Sequence, residues 1–244
     1  EILKQTQFTQ PSIFVHSVII NNILFDKGIF PLAVAGHSLG EFSALVAAEV
    51  LSFGDALSIV KVRADEMAKA GELQPGAMAA ILGAEQDQLE VICDQNGIVL
   101  PANLNAPGQV VISGEVDAVR DAIITAKKMG IRRALPLNVS GAFHSPLMED
   151  AKISLEKIIN KTKFNDVKIP IYQNYTAKSN TLGNAIKKNL INQLTSPVLW
   201  LDTVNNIVND GIINHVEIGP GNVLKNLNKN INKDIYNLDY TRLI

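Results

Sequence analysis

One cysteine, Cys93, and a net charge of −2 are the first things this 244-residue sequence has little of. A single thiol cannot close an internal disulfide or build a Cys-rich metal site, and it suits a reducing compartment, so a cytoplasmic location is expected. With 22 basic against 24 acidic side chains and a pI near 6.1, nothing in the charge balance argues for nucleic acid as a partner. Long apolar runs are absent too. Residues 13–20 form the most membrane-like stretch, but it falls short of the ~18 residues of a span and Asn21-Asn22 ends it. It also lacks the charged leader and small-residue cleavage site of a secretory signal. No membrane association is expected.

What is present is ordinary for a globular chain: 47% hydrophobic and 19% charged residues, with 16 Gly and 10 Pro. That excludes wholesale disorder. Residues 11–25 read as a largely buried helix, 31–35 as a short strand and 42–50 as a small-residue helix. Residues 55–70 read as a second helix, with Ala56, Ile59, Val60 and Met67 at apolar spacing. The texture then changes. Strands at 77–82, 98–103, 109–113 and 131–139 with helices at 85–95 and 116–129 give the order βαββαβ, the ferredoxin-like split unit. We therefore expect an α/β core from residues 1–76 and 141–244 and a small inserted subdomain at 77–140. In the second part of the core, Ser145 caps a helix with Pro146 in its first turn. Residues 169–174 and 215–218 are strand-like, and 182–194 and 204–208 helical. This alternation predicts a parallel sheet. The 17 Asn in residues 151–244, against 6 in residues 1–150, read as solvated helix faces or compositional habit.

Gly36-His37-Ser38-Leu39-Gly40 matches G-x-S-x-G, the nucleophile elbow. A serine on a tight strand-to-helix turn needs glycines on either side, because side chains there would collide. Its hydroxyl then stands clear at the positive end of a helix, where an oxyanion is stabilised. Serine needs a base, and the chain has 4 histidines. His37 adjoins Ser38 and should project away from it, packing beneath the elbow; His16 sits in an apolar helix. His144, at a strand end before a helix, and His215 remain. His215 completes the order Ser38, Asp202, His215 of α/β-hydrolases, so a serine hydrolase is one reading, and spacing alone does not choose between the two histidines. Arg63, mid-helix between Val62 and Ala64, reads either as a bidentate clamp on a substrate carboxylate or as a surface arginine paired with Asp65 or Glu66.

Several separated segments carry a resemblance. They are residues 9–13 (Thr-Gln-Pro-Ser-Ile), 35–42 around the elbow, Arg63 in its helix, 103–114, 140–148 (Ser-Gly-Ala-Phe-His-Ser-Pro-Leu-Met), 193–200 and 217–221. In these the chain resembles the malonyl-CoA:acyl carrier protein transacylases and the related acyltransferase domains of fatty-acid and polyketide synthases. The resemblance implies a hydrolase-like parallel-sheet core with the ferredoxin-like insert. It implies Ser38 as the acylated nucleophile, His144 as its base and the backbone carbonyl of Gln193 as the group orienting that histidine. Arg63 would bind the malonyl carboxylate, the Leu39 N–H would be an oxyanion donor, Phe143 would mark malonyl selectivity, and Asn105 would line the site. Malonyl-CoA is then a substrate and acyl carrier protein the acceptor, with no cofactor and no metal. The family normally opens with a strand and a Gly-Gln-Gly-Ser-Gln-like loop that supplies a second oxyanion donor. Residues 1–8 hold no match to it, and the sequence starts at Glu1. We therefore expect either a piece of a longer chain, short by one leading strand–loop–helix unit, or an impaired one. A fragment that only docks a carrier protein is the third reading.

Overall fold

A computed structural model describes residues 2–139 and 141–244; Ser140, quoted in the resemblance above, lies outside the described residues, as does Glu1. After a 3₁₀ turn at Ile2–Lys4 comes helix α1 (Thr6–Asp26), which starts upstream of the expected 11–25. Pro11 lies inside it, where it removes the ladder bond to the Gln7 carbonyl, and next to it Ser12 Oγ adds a bond to the Phe8 carbonyl at 2.8 Å. Strand β1 (Val34–Ala35) is shorter than expected and leads through the elbow into α2 (Gly40–Ala47). Helix α3 (Phe53–Leu73) begins two residues earlier than its apolar period suggests, because Ser52 caps it and accepts from the Asp55 N–H at 3.1 Å. Ala56, Ile59, Val60 and Met67 are all buried on its inner face.

Next come β2 (Gly76–Leu82), α4 (Gln86–Cys93), β3 (Val99–Ala106), β4 (Gln109–Glu115), α5 (Val116–Lys128) and β5 (Arg133–Pro136). The strands form one sheet in the order β3-β4-β2-β5, every pair antiparallel. The βαββαβ order is that read from the sequence. Alternate strand residues such as Ala79 and Ile81 turn inward with Leu89, Ile92, Val119 and Ala122 of the two helices, so this sheet has an apolar cluster of its own. It is tied to the rest by β3: Leu104 N–H donates to the Val198 carbonyl at 2.9 Å, and Val198 N–H to the Ala102 carbonyl at 2.9 Å.

The remainder comprises α6 (Glu149–Lys161), β6 (Ile171–Tyr172), β7 (Ser179–Asn180), α7 (Gly183–Gln193), α8 (Trp200–Asn209), β8 (Asn214–Val216), α9 (Val223–Ile231) and β9 (Tyr236–Leu238). Ser145 does cap its turn, accepting from the Leu147 N–H at 3.2 Å. That first turn is a short 3₁₀ segment, Pro146–Met148, and the α-helix starts behind it. The expected parallel pairing holds for β1 with β6, to which β7 adds antiparallel, whereas β8 does not join them and pairs in parallel with β9 in a separate two-stranded sheet. The main core joins α1, α2, α3, α6 and α7 around Phe14, Phe42, Leu45, Ile59, Met148 and Leu190, all fully buried. Each large side chain removed from water here stabilises the fold by about 2 kcal/mol. This packing fixes α2 and α3 against one another, and they carry the elbow and Arg63.

Candidate active site

The elbow spans the four residues between β1 and α2. A Cβ on Gly36 would lie 2.0 Å from the Gly40 carbonyl carbon, whereas one on Gly40 would meet nothing within 4 Å. The steric need for glycine is therefore one-sided: Gly36 must be bare so that the backbone of Gly40 can pass over it. Ser38 adopts φ 51°, a left-handed conformation that costs a non-glycine residue on the order of 1–3 kcal/mol unless its surroundings enforce it. Asn174 enforces it here. Its Oδ1 accepts from Ser38 N–H at 2.6 Å and its Nδ2 donates to the Gly36 carbonyl at 2.6 Å. Beneath the turn, His37 Nε2 meets Asn105 Oδ1 at 2.8 Å and its ring lies 5.6 Å from that of Trp200. His37 thus packs away from the Ser38 hydroxyl, as its sequence position implies, and burial lowers its pKa. Asn105 is engaged under the elbow by that contact.

Above the turn, Ser38 Oγ lies 2.8 Å from His144 Nε2, and His144 Nδ1 lies 3.0 Å from the Gln193 carbonyl oxygen. A carbonyl only accepts, so Nδ1 carries the proton and Nε2 is left to receive the serine hydrogen. His144 is 3% exposed, and it too sits at positive φ, 59°. Burial, then the neighbouring Arg63 cation, push its pKa down to about 3. The imidazole is neutral at physiological pH.

Arg63 does not pair with Asp65 or Glu66 on the surface. It is 1% exposed. Its Nη1 donates to Gln10 Oε1 at 2.6 Å, and its Nη2 donates to Ser38 Oγ at 2.9 Å and faces Gln193 Oε1 at 3.4 Å. The guanidinium carbon lies 5.4 Å from the centre of the Phe42 ring. Burial lowers its pKa to about 10 while Glu41 opposes the shift, so it stays charged. Among the described residues its Nε has no partner. The Leu39 N–H, at the start of α2, donates to no acceptor among the described residues, which leaves it available at the helix's positive end. Phe143 packs, partly buried, on the main core beside His144.

His215 is elsewhere. Its Nε2 meets the Ile212 carbonyl at 3.0 Å and its Nδ1 meets Asn228 Nδ2 at 3.2 Å. It lines a cavity of about 460 Å³ together with Ala35, Ala44, Trp200 and Val204, and Ser38, Arg63 and His144 take no part in that lining. No hydrogen bond joins His215 to Ser38 or to Asp202 among the described residues; of the two candidate histidines, it is His144 that lies within hydrogen-bond reach of Ser38 Oγ. His16 is partly buried in α1, its Nδ1 without a partner among the described residues.

The arrangement is thus a hydroxyl on a strained turn, a neutral imidazole within reach of its proton, and a buried cation bonded to the same oxygen. The model of the acyl transferase domain matches residues 1–241. The chain belongs to that family. Among acyl transferases similar to it is the malonyl CoA-acyl carrier protein transacylase of Staphylococcus aureus (strain MSSA476). It is 40% identical over 237 residues, covering 96% of this chain and 76% of that protein. The transacylase of Bacillus subtilis (strain 168) is 41% identical over 237 residues, 96% of this chain and 75% of that protein. The solved malonyl CoA-acyl carrier protein transacylase of Coxiella burnetii superposes with a TM-score of 0.95 at 38% identity, covering 99% of this chain and 78% of that one. The acyl transferase fold is thus an α/β fold.

Three buried polar residues of this acyl transferase site went unassigned in the sequence. Gln10 bonds Arg63, Asn174 clamps the turn, and Glu41 has no solvent exposure. Only Glu41 carries a local signal, a lone charged residue in the first turn of a short, mainly apolar helix.

Proposed function

We propose that this chain transfers a malonyl group from malonyl-CoA to the phosphopantetheine thiol of acyl carrier protein, as part of fatty-acid biosynthesis. The observation that carries this reading is Arg63. A cation 1% exposed with no carboxylate in ion-pair contact among the described residues is costly to keep, and it touches the oxygen expected to attack. A substrate whose acyl group ends in a carboxylate completes the pair and is placed with its thioester at Ser38 in the same step.

The chemistry runs in two halves. Ser38 attacks the malonyl thioester as His144 Nε2 takes its proton, the Leu39 N–H donates to the developing oxyanion, and the C–S bond breaks as His144 returns the proton to the departing CoA thiol. The carrier-protein thiol then attacks malonyl-Ser38, with His144 taking the thiol proton and passing it to Ser38 Oγ as the ester bond breaks. One site serving two thiols gives ping-pong kinetics. The Gln193 carbonyl keeps the imidazole in the tautomer this needs, Phe143 contributes to malonyl selectivity, and Asn105 supports the elbow from residues 77–140, which we take as a small subdomain. The reading needs no cofactor or metal, because CoA enters and leaves as substrate. It places the work in the cytoplasm, where such thioesters are made. Similarity to a malonyl-transacylase solved in complex with a type II polyketide acyl-carrier protein (TM-score 0.93, 38% identity, 97% of this chain and 78% of that one) supports the partner.

Intact-mass measurement after mixing with malonyl-CoA tests this. A malonyl adduct on Ser38, discharged by holo-carrier protein, is expected. No adduct on folded protein leaves the docking reading instead.

A further inference from the structure

Glu41 sits three residues after Ser38, in the first turn of α2, and is 0% exposed. A carboxylate at such depth persists only when its oxygens are filled by donors. They are. Oε1 accepts from Gln173 Nε2 at 3.1 Å, and Oε2 accepts from the Asn174 backbone N–H at 2.9 Å and from Gln193 Nε2 at 2.9 Å.

Two of these donors belong to residues that hold the reacting groups. Asn174 is the side chain that clamps Ser38 and Gly36. Gln193 lends its backbone carbonyl to His144, donates from Nε2 to the Ser38 carbonyl at 3.1 Å, and turns its Oε1 toward Arg63. The Gln193 amide therefore lies between a buried anion and a buried cation, and the two charges orient it from opposite ends. One carboxylate thus joins the support of the serine to the support of the histidine. It also acts on Arg63 at a distance, opposing the effect of burial without an ion-pair contact.

We propose that Glu41 is a positioning residue of the acyl transfer, locking Asn174 and Gln193 together so that Ser38 and His144 meet in register. This rests on the reading of Ser38 as nucleophile and His144 as base. The carboxylate is specific for the task. All three partners are donors, so an amide at position 41 turns its own NH₂ toward either Gln173 or the pair Asn174 and Gln193. Aspartate keeps the charge but stops one methylene short. Both faults displace supports of two residues that already hold strained backbone.

The test uses Glu41→Gln and Glu41→Asp in the full chain with two probes. One is a fluorophosphonate, which labels an activated serine and carries neither carboxylate nor CoA; the other is malonyl-CoA, followed by rapid-quench intact mass. Labelling of Ser38 is expected to slow about 10- to 100-fold in Glu41→Gln, as for loss of a buried charged hydrogen bond, and less in Glu41→Asp. The KM for malonyl-CoA of Glu41→Asp should stay near wild type while its labelling rate falls by more than its unfolded fraction explains, which a merely structural role does not predict. Labelling at the wild-type rate in a folded variant overturns the proposal. So does a loss that only tracks the unfolded fraction, or failure of Glu41→Asp to fold. If wild-type Ser38 takes the fluorophosphonate but no malonyl group, the functional reading falls and the Glu41 assignment is still decided by the labelling rates. If wild-type Ser38 takes neither, both fall.

Discussion

Arg63 Nη2 donates to Ser38 Oγ at 2.9 Å, so the buried cation and the hydroxyl expected to attack share one hydrogen bond. In the proposed mechanism that bond is exchanged for one to the incoming carboxylate when substrate arrives. Replacing Arg63 with Ala should then depress malonyl transfer by about 10²–10³-fold, the scale of truncating one partner of a buried charge pair, and acetyl transfer far less. Arg63→Lys should fall between, since an ammonium cannot reproduce the planar fork. Rates with malonyl-CoA and acetyl-CoA decide it; equal losses remove the carboxylate role.

His144, not His215, should be required for acylation. Among the described residues it is His144 that reaches Ser38 Oγ, while His215 is held by Ile212 and Asn228. His144→Ala is expected to slow formation of the Ser38 adduct by about 10²–10⁴-fold, the usual contribution of a general base. His215→Ala should leave that rate within severalfold. The reverse pattern revives the hydrolase reading.

The pH dependence follows from the His144 pKa, held down to about 3 chiefly by burial. A neutral base is competent, so serine acylation should show no inflection near 6.5, the ordinary histidine value. Stability behaves differently. Between pH 6.5 and 3 the unfolded chain binds a proton at this residue that the folded chain refuses, so its contribution is complete above 6.5 and is lost as pH falls. The slope approaches about 1.4 kcal/mol per pH unit. Asparagine tolerates positive φ, so His144→Asn is a fair comparison; the variant should lose less stability than wild type between pH 7.5 and 5 in urea titrations. Parallel losses contradict the buried neutral imidazole.

The parts of this site visible in the sequence are those specified by neighbours along the chain. The elbow shows because Gly36 and Ser38 act within one turn. The βαββαβ unit shows because its strands and helices alternate with clear period. Arg63 was half visible: it stands four residues after Ile59 and four before Met67, on the buried stripe of α3, yet spacing alone does not separate a clamp from a surface ion pair. Gln10 and Asn174 are invisible because their partners are 53 and 136 residues away, and Glu41 shows only as an acid in a helix's first turn because its partner Asn174 is 133 residues away. Helix α9 and strand β9 were missed for another reason. Asn and Lys between Leu224, Leu227 and Ile231 mask an apolar face that packs on Trp200 and Val204. The same composition hid Asn174 and Asn228, which are buried where solvated asparagines were expected.

Gly36→Ala separates the geometry of the elbow from its chemistry. A methyl at this position would lie 2.0 Å from the Gly40 carbonyl carbon and 2.4 Å from Glu41 N, and both are backbone atoms that cannot rotate aside. The turn must open, which pulls Ser38 from Asn174 and Glu41 from its three donors together. The variant should be destabilised by about 1–3 kcal/mol, as for overpacking a tight core, and its Ser38 adduct should be lost even in the folded fraction. Gly40→Ala is the control, because a methyl there meets nothing within 4 Å and φ is not in the left-handed region. It should fold and acylate within severalfold of wild type. If the two alanines behave alike, the crowding at Gly36 is not what shapes the turn.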